Sequence, residues 1–157
     1  MISSRQHRTG PGAGARLARR SAKWVRTGVD SVMETRLRML IVLAGLPEPT
    51  INHILRANDG SWLRRIDLSY LDLRLAIEYD GRQHALDTKQ WNSDIRRREE
   101  LEQQGWRFIV VTADSLYGDP LGTLERIRTA VSKRGATITR RQPSPEWSRC
   151  FPGRFAA

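Results

Sequence analysis

The chain has 157 residues, 39% of them hydrophobic, which predicts one domain at roughly 150 residues per domain and leaves enough apolar material for a core. Collagen-like, coiled-coil and wholly disordered chains are excluded on composition, and the longest strongly apolar run, Met39 to Leu46, falls short of the roughly 20 residues a membrane helix needs. The formal net charge of +10 belongs to the ends: residues 1–29 carry seven basic and no acidic side chains and residues 133–157 carry six basic and one acidic, so the middle is close to neutral. Such charge favours an anionic partner such as nucleic acid, whether it lies on a folded surface or on arms that only raise local concentration. The single Cys150 excludes an intramolecular disulfide and a multi-cysteine zinc site, and a reducing cytoplasm is the expected location.

In chain order, residues 1–29 combine Gly10, Pro11, Gly12, Gly14 and scattered arginines without apolar periodicity, and are expected to form a disordered basic linker. A folded domain is expected over residues 30–132. Ser31 followed by Glu34 is a capping-box signature, and Val32, Leu37, Leu40, Ile41 and Ala44 recur at helical spacing until Gly45 and Pro47. Ile51 to Arg56, the turn Asn58-Asp59-Gly60 and Trp62 to Tyr70 predict a β-hairpin. A turn near Leu71-Asp72 leads into a third strand, Arg74 to Asp80. Leu73, Leu75, Ile77 and Tyr79 share one face and Ala76, Glu78 and Asp80 the other. Thr88 opens a second helix reaching about Gln104, with Trp91, Ile95 and Leu101 inward, and Gly105 stops it. Trp106 to Thr112 reads as a strand buried on both faces. After Gly118-Asp119-Pro120, a third helix places Leu121, Leu124, Ile127 and Val131 inward. Residues 133–157, with Pro143, Pro145 and Pro152, are expected to be a basic flexible tail. The order α-β-β-β-α-β-α predicts an α/β fold, a mixed sheet of about four strands flanked by helices.

The chemistry concentrates within Asp67 to His84. Strict alternation puts Ile66 and Leu68 on the face opposite Asp67, and pairing of the second and third strands brings Asp67, Glu78 and Asp80 together near the end of the sheet. Three clustered carboxylates repel one another unless a cation lies between them, and hard oxygen donors with room for water suit magnesium. Bound there, magnesium bridges a scissile phosphate and activates water. His84, four residues beyond Asp80, is placed as general base or extra ligand. The ordinary alternative is that acidic residues at strand ends are simply solvated. Glu34 likewise has a complete role as a cap, and Asp94 and Arg97, three apart on one helix, form either an intrahelical pair or, for Arg97, a phosphate clamp.

Taken together, the helix with Glu34, the strand with Asp67, the strand ending Glu78-Tyr79-Asp80-Gly81 with His84 beyond it, and the helix with Asp94, Arg97 and Leu101 before Gly105-Trp106-Arg107-Phe108 resemble the restriction-endonuclease-like PD-(D/E)XK superfamily. Within it they are most similar to the very-short-patch-repair-like (Vsr-like) domain of unknown function 559, and the resemblance spans about residues 31–132. It implies a restriction-endonuclease-like core and a Mg2+-dependent DNA endonuclease, a hydrolase of phosphodiester bonds that could also use Mn2+. It implies Asp67 and Glu78 as metal ligands with Glu34 contributing. The family signature has lysine two positions after the glutamate, where this chain has Asp80. The resemblance then leaves Asp80 as a further ligand and gives part of the lysine's role to Gln83, His84 or Arg97. Two other functions follow from the same residues. One is a catalytically impaired nuclease-like module that binds DNA or regulates, of the kind joined to an antitoxin-like winged-helix domain upstream, a partner expected to lie outside these residues. The other is a scaffold whose basic ends bind nucleic acid nonspecifically.

Overall fold

The computed structural model describes residues 31–57, 59–81, 88–138 and 142–153. The expected linker of residues 1–29, and Gln83 and His84, lie outside the described residues. Chain order is α1 (Val32–Leu43), β1 (Thr50–Arg56), β2 (Trp62–Tyr70), β3 (Leu75–Asp80), α2 (Thr88–Gln103), β4 (Arg107–Thr112), α3 (Ala113–Gly118), α4 (Pro120–Lys133) and α5 (Pro145–Cys150). The sheet runs β1-β2-β3-β4, antiparallel in its first two pairings and parallel between β3 and β4. The parallel pair needs a crossover, which α2 provides.

Local chemistry sets the boundaries. Ser31 Oγ accepts the Glu34 N–H at 3.1 Å and starts α1, as its capping signature requires. The turn before β3 closes through Arg74 N–H to Leu71 O, with Arg74 at φ 46°. Asp119 caps α4 by accepting the Gly122 N–H at 2.8 Å, with Pro120 at the first helical position, where a missing N–H is harmless.

Two apolar layers sandwich the sheet. The larger joins Leu37, Leu40 and Ile41 of α1 with Leu68, Leu75, Ile77, Ile109, Val111 and the inner side of α4. The smaller joins Ile66, Ala76 and Phe108 to Leu101 of α2. In β3, Leu75 and Ile77 enter the first layer and Ala76 the second, as alternation predicts.

Four expectations are corrected. Ile66 and Leu68 enter different layers, so strict alternation fails at Asp67. Ile95 and Leu121, expected inward, are exposed at 40% and 56%. The short helix α3 was not expected; Thr112 caps it by accepting the Ser115 N–H at 3.2 Å. Finally, the predicted flexible tail holds α5, which docks on α1. Trp147 and Phe151 are buried with ring centroids 5.3 Å apart, Trp147 Nε1 donates to Leu40 O at 2.8 Å, and Arg36 Nη2 donates to Cys150 O at 2.8 Å. The physical reason is that two aromatic residues four apart bury more apolar surface than ordering this short segment opposes. Among the described residues no helix is long and apolar enough to cross a membrane.

Candidate active site

Asp67 lies where both of its neighbouring strands depart from regularity. On one side, the pairs Ile51↔Leu68 and His53↔Ile66 flank Asn52, which sits opposite Asp67 with φ 48°, a left-handed conformation that asparagine tolerates better than most residues. On the other side, the β2–β3 ladder ends at Leu68↔Ile77. Past that point the Asp67 carboxylate takes the partner's place: its Oδ2 accepts the Tyr79 N–H at 2.9 Å. A side chain turned into the plane of the sheet accounts for the switch of faces between Ile66 and Leu68. The result is a fork in which β2 and β3 diverge with acidic groups between them.

Burial pushes the Asp67 carboxyl up to about 6, and the negative charges of Glu34 and Glu78 add to the rise; the Tyr79 N–H and Arg65 oppose it. Glu34 therefore acts at this site in addition to lying in the first turn of α1. Glu78, on the α2 side of β3, is held by a fork-to-fork ion pair: Arg64 Nε donates to Oε1 and Arg64 Nη2 to Oε2, each at 2.8 Å. The Arg64 guanidinium also lies over the Phe108 ring at 5.7 Å. Burial alone would lower the Arg64 pKa, but hydrogen bonding to Glu78 and the charges of Glu78, Asp94 and Asp67 outweigh it, and the net shift is upward.

Asp94 pairs weakly with Arg97 at 3.5 Å, the intrahelical alternative the spacing allowed. Arg97 also stacks its guanidinium 5.0 Å over Trp62, a residue that is 47% exposed. Arg98 lies 5.1 Å over Phe108 and bonds Glu102. Arginines and an open aromatic face thus border the acidic fork along β2 and α2.

The structure does not bring all three predicted carboxylates together. Asp80 is exposed at the end of β3, and among the described residues no three His, Cys, Asp or Glu side chains stand close enough to hold a metal ion. Asp67 and Glu78 are brought together, with Glu34 within electrostatic reach. Their chemistry fits a hard divalent cation: they are oxygen donors, and the rise in the Asp67 pKa owed to Glu34 and Glu78 is what a cation would relieve. Arg64 was not anticipated from the sequence. The β2–β3 register, continued past Leu68↔Ile77, would set Glu78 opposite Asp67 and not Arg64, so the bidentate contact depends on the ladder ending where it does. Two open clefts beside α4, lined by residues such as Arg128, Ser132 and Arg126, include neither Asp67 nor Glu78.

The four-stranded mixed sheet with flanking helices is a restriction-endonuclease-like architecture. Residues 55–131 match the model of a restriction-endonuclease-like family, REase_MTES_1575, a span running from the end of β1 almost to the end of α4. Two similar proteins, the uncharacterized proteins Rv2248 and MT2308 of two Mycobacterium tuberculosis strains, are each 26% identical over 91 residues, covering 58% of this chain and 33% of theirs. The chain thus spans a third of the length of the curated relatives it matches. No solved structure matches it.

Proposed function

We propose that this chain is the catalytic domain of a divalent-metal-dependent DNA endonuclease, of the Vsr-like type known as domain of unknown function 559, working in the cytoplasm. The observation that carries the reading is the fork at Asp67, where two diverging strands set Asp67 beside Glu78 and Glu34 inside a sheet of the restriction-endonuclease-like kind. Asp67 and Glu78 would hold Mg2+, or Mn2+ in its place, with the charge of Glu34 adding to the negative field there. A divalent ion held by these carboxylates would supply Lewis acidity towards a phosphate and would make a water more acidic. The residues of the chain itself do the rest. Arg97 and Arg98 neutralise backbone phosphate, and Trp62 offers a stacking face to a base. Asp94 holds Arg97 in position. His84 and Gln83, beyond Asp80, are assigned the handling of the water proton.

The test is cleavage of supercoiled and single-stranded DNA with Mg2+ or Mn2+. Asp67→Ala and Glu78→Ala should each lower cleavage at least about 100-fold while DNA affinity is kept, and His84→Ala should lower it less. Cleavage unchanged by Asp67→Ala overturns the reading.

A second reading, a nuclease-like module that binds DNA without cutting it and acts beside an upstream winged-helix domain, is favoured by Asp80 at the lysine position and by Arg64 on Glu78. DNA binding with neither metal binding nor cleavage would select it.

A further inference from the structure

In the arrangement observed, Glu78 is already committed to an arginine. Each of its oxygens accepts from the same guanidinium, at 2.8 Å each, and the pair is largely withdrawn from water, with side-chain exposures of 20% for Arg64 and 12% for Glu78. A bidentate pair of this kind is charge-assisted and geometrically matched, so it stands in direct competition with any cation that needs the same oxygens. The guanidinium is also supported from outside the pair. Phe108 lies beneath it, and Asp94 on α2 provides a second negative charge on that side. Arg64 therefore has a place to go when it lets go of Glu78.

We propose that Arg64 is a built-in counter-cation that a divalent ion must displace from Glu78, and that the displaced guanidinium then supplies, at the substrate phosphate, the positive charge that Asp80 does not. The first half concerns ion binding alone, and the second rests on the proposed nuclease reading. The device has a simple physical logic. Without a metal ion, Glu78 beside Asp67 would be an uncompensated charge in a half-buried fork, and Arg64 neutralises it. With the ion present, the fork holds a cation already, and a second positive group is repelled from Glu78 towards the phosphate and Asp94.

The experiment uses the full chain, with Mn2+ as probe, reading free Mn2+ by its electron paramagnetic resonance signal and following DNA cleavage in parallel. Arg64→Met keeps an apolar stem over Phe108 and removes the competitor. It should bind Mn2+ about tenfold more tightly than the unaltered chain, the equivalent of one charge-assisted hydrogen bond, yet cut DNA at least about tenfold more slowly when saturated. Arg64→Lys keeps the charge but loses the fork, and should lie between the two in both measurements; it carries the test alone if Arg64→Met fails to fold. Mn2+ affinity that is unchanged or weaker in the variants overturns the proposal, even if Asp67→Ala abolishes cleavage and so upholds the nuclease reading. Conversely, tighter Mn2+ binding by Arg64→Met in a chain that never cuts DNA upholds the counter-cation and overturns the nuclease.

Discussion

Asp67→Asn separates the electrostatics of the fork from its geometry. Asparagine keeps an oxygen able to accept the Tyr79 N–H and removes only the charge. In the unaltered chain the Asp67 carboxyl titrates near 6 when folded, against an ordinary value of 3.8. Between those values the folded state binds more protons than the unfolded one, so stability falls as pH rises from about 4 through 6, and the full penalty is present above that window. The difference corresponds to about 3 kcal/mol, trimmed to about 2 kcal/mol because the group is only partly buried. Asp67→Asn should therefore match the unaltered chain near pH 4 and exceed it by about 2 kcal/mol at pH 8, a rise in Tm of roughly 6–10 °C. Urea unfolding at pH 4, 5, 6, 7 and 8, without divalent ions, measures this directly. Equal stability at pH 8, or a gain that does not vary with pH, would refute the assignment of a strained carboxylate to the fork. Added Mg2+ at pH 8 should stabilise the unaltered chain and not the variant, because only the former keeps the charge that holds the ion.

Three further outcomes follow from the packing. Trp147→Ala empties a buried site and breaks the bond to Leu40 O, and should lower stability by about 3–5 kcal/mol in chemical denaturation, undocking α5. Arg38 is fully buried with one 2.6 Å ion pair to Glu48, and among the described residues its Nε and Nη2 make no hydrogen bond. Arg38→Met should accordingly be neutral or stabilising by about 1 kcal/mol, whereas Glu48→Ala, which strips a buried charge of its partner, should cost about 2–3 kcal/mol; the reverse order in urea unfolding would refute this account. Trp62→Ala should change stability by no more than about 0.5 kcal/mol, since the residue is half open to water, while weakening single-stranded DNA binding by about 1–3 kcal/mol in a fluorescence anisotropy titration.

The amino-acid sequence by itself determined the order and kind of the larger elements, because each is written in local chemistry: Ser31 capping α1, alternation in β3, the apolar run of β4 and Asp119-Pro120 opening α4. It also singled out Asp67 and Glu78, since carboxylates on adjacent strands stand out against their apolar neighbours. The six-residue helices α3 and α5 were not legible, because fewer than two turns carry no period, and the burial of Trp147 depends on a surface offered by α1 more than a hundred residues earlier. Nor could alternation foresee the fork. That rule assumes an unbroken ladder, and here the left-handed backbone of Asn52 and the end of the β2–β3 pairing turn the Asp67 side chain into the sheet and leave Asp80 exposed. The grip of Arg64 on Glu78 arose at the same place and for the same reason: its partner was selected by how two strands separate in space, a quantity that no spacing along the chain contains.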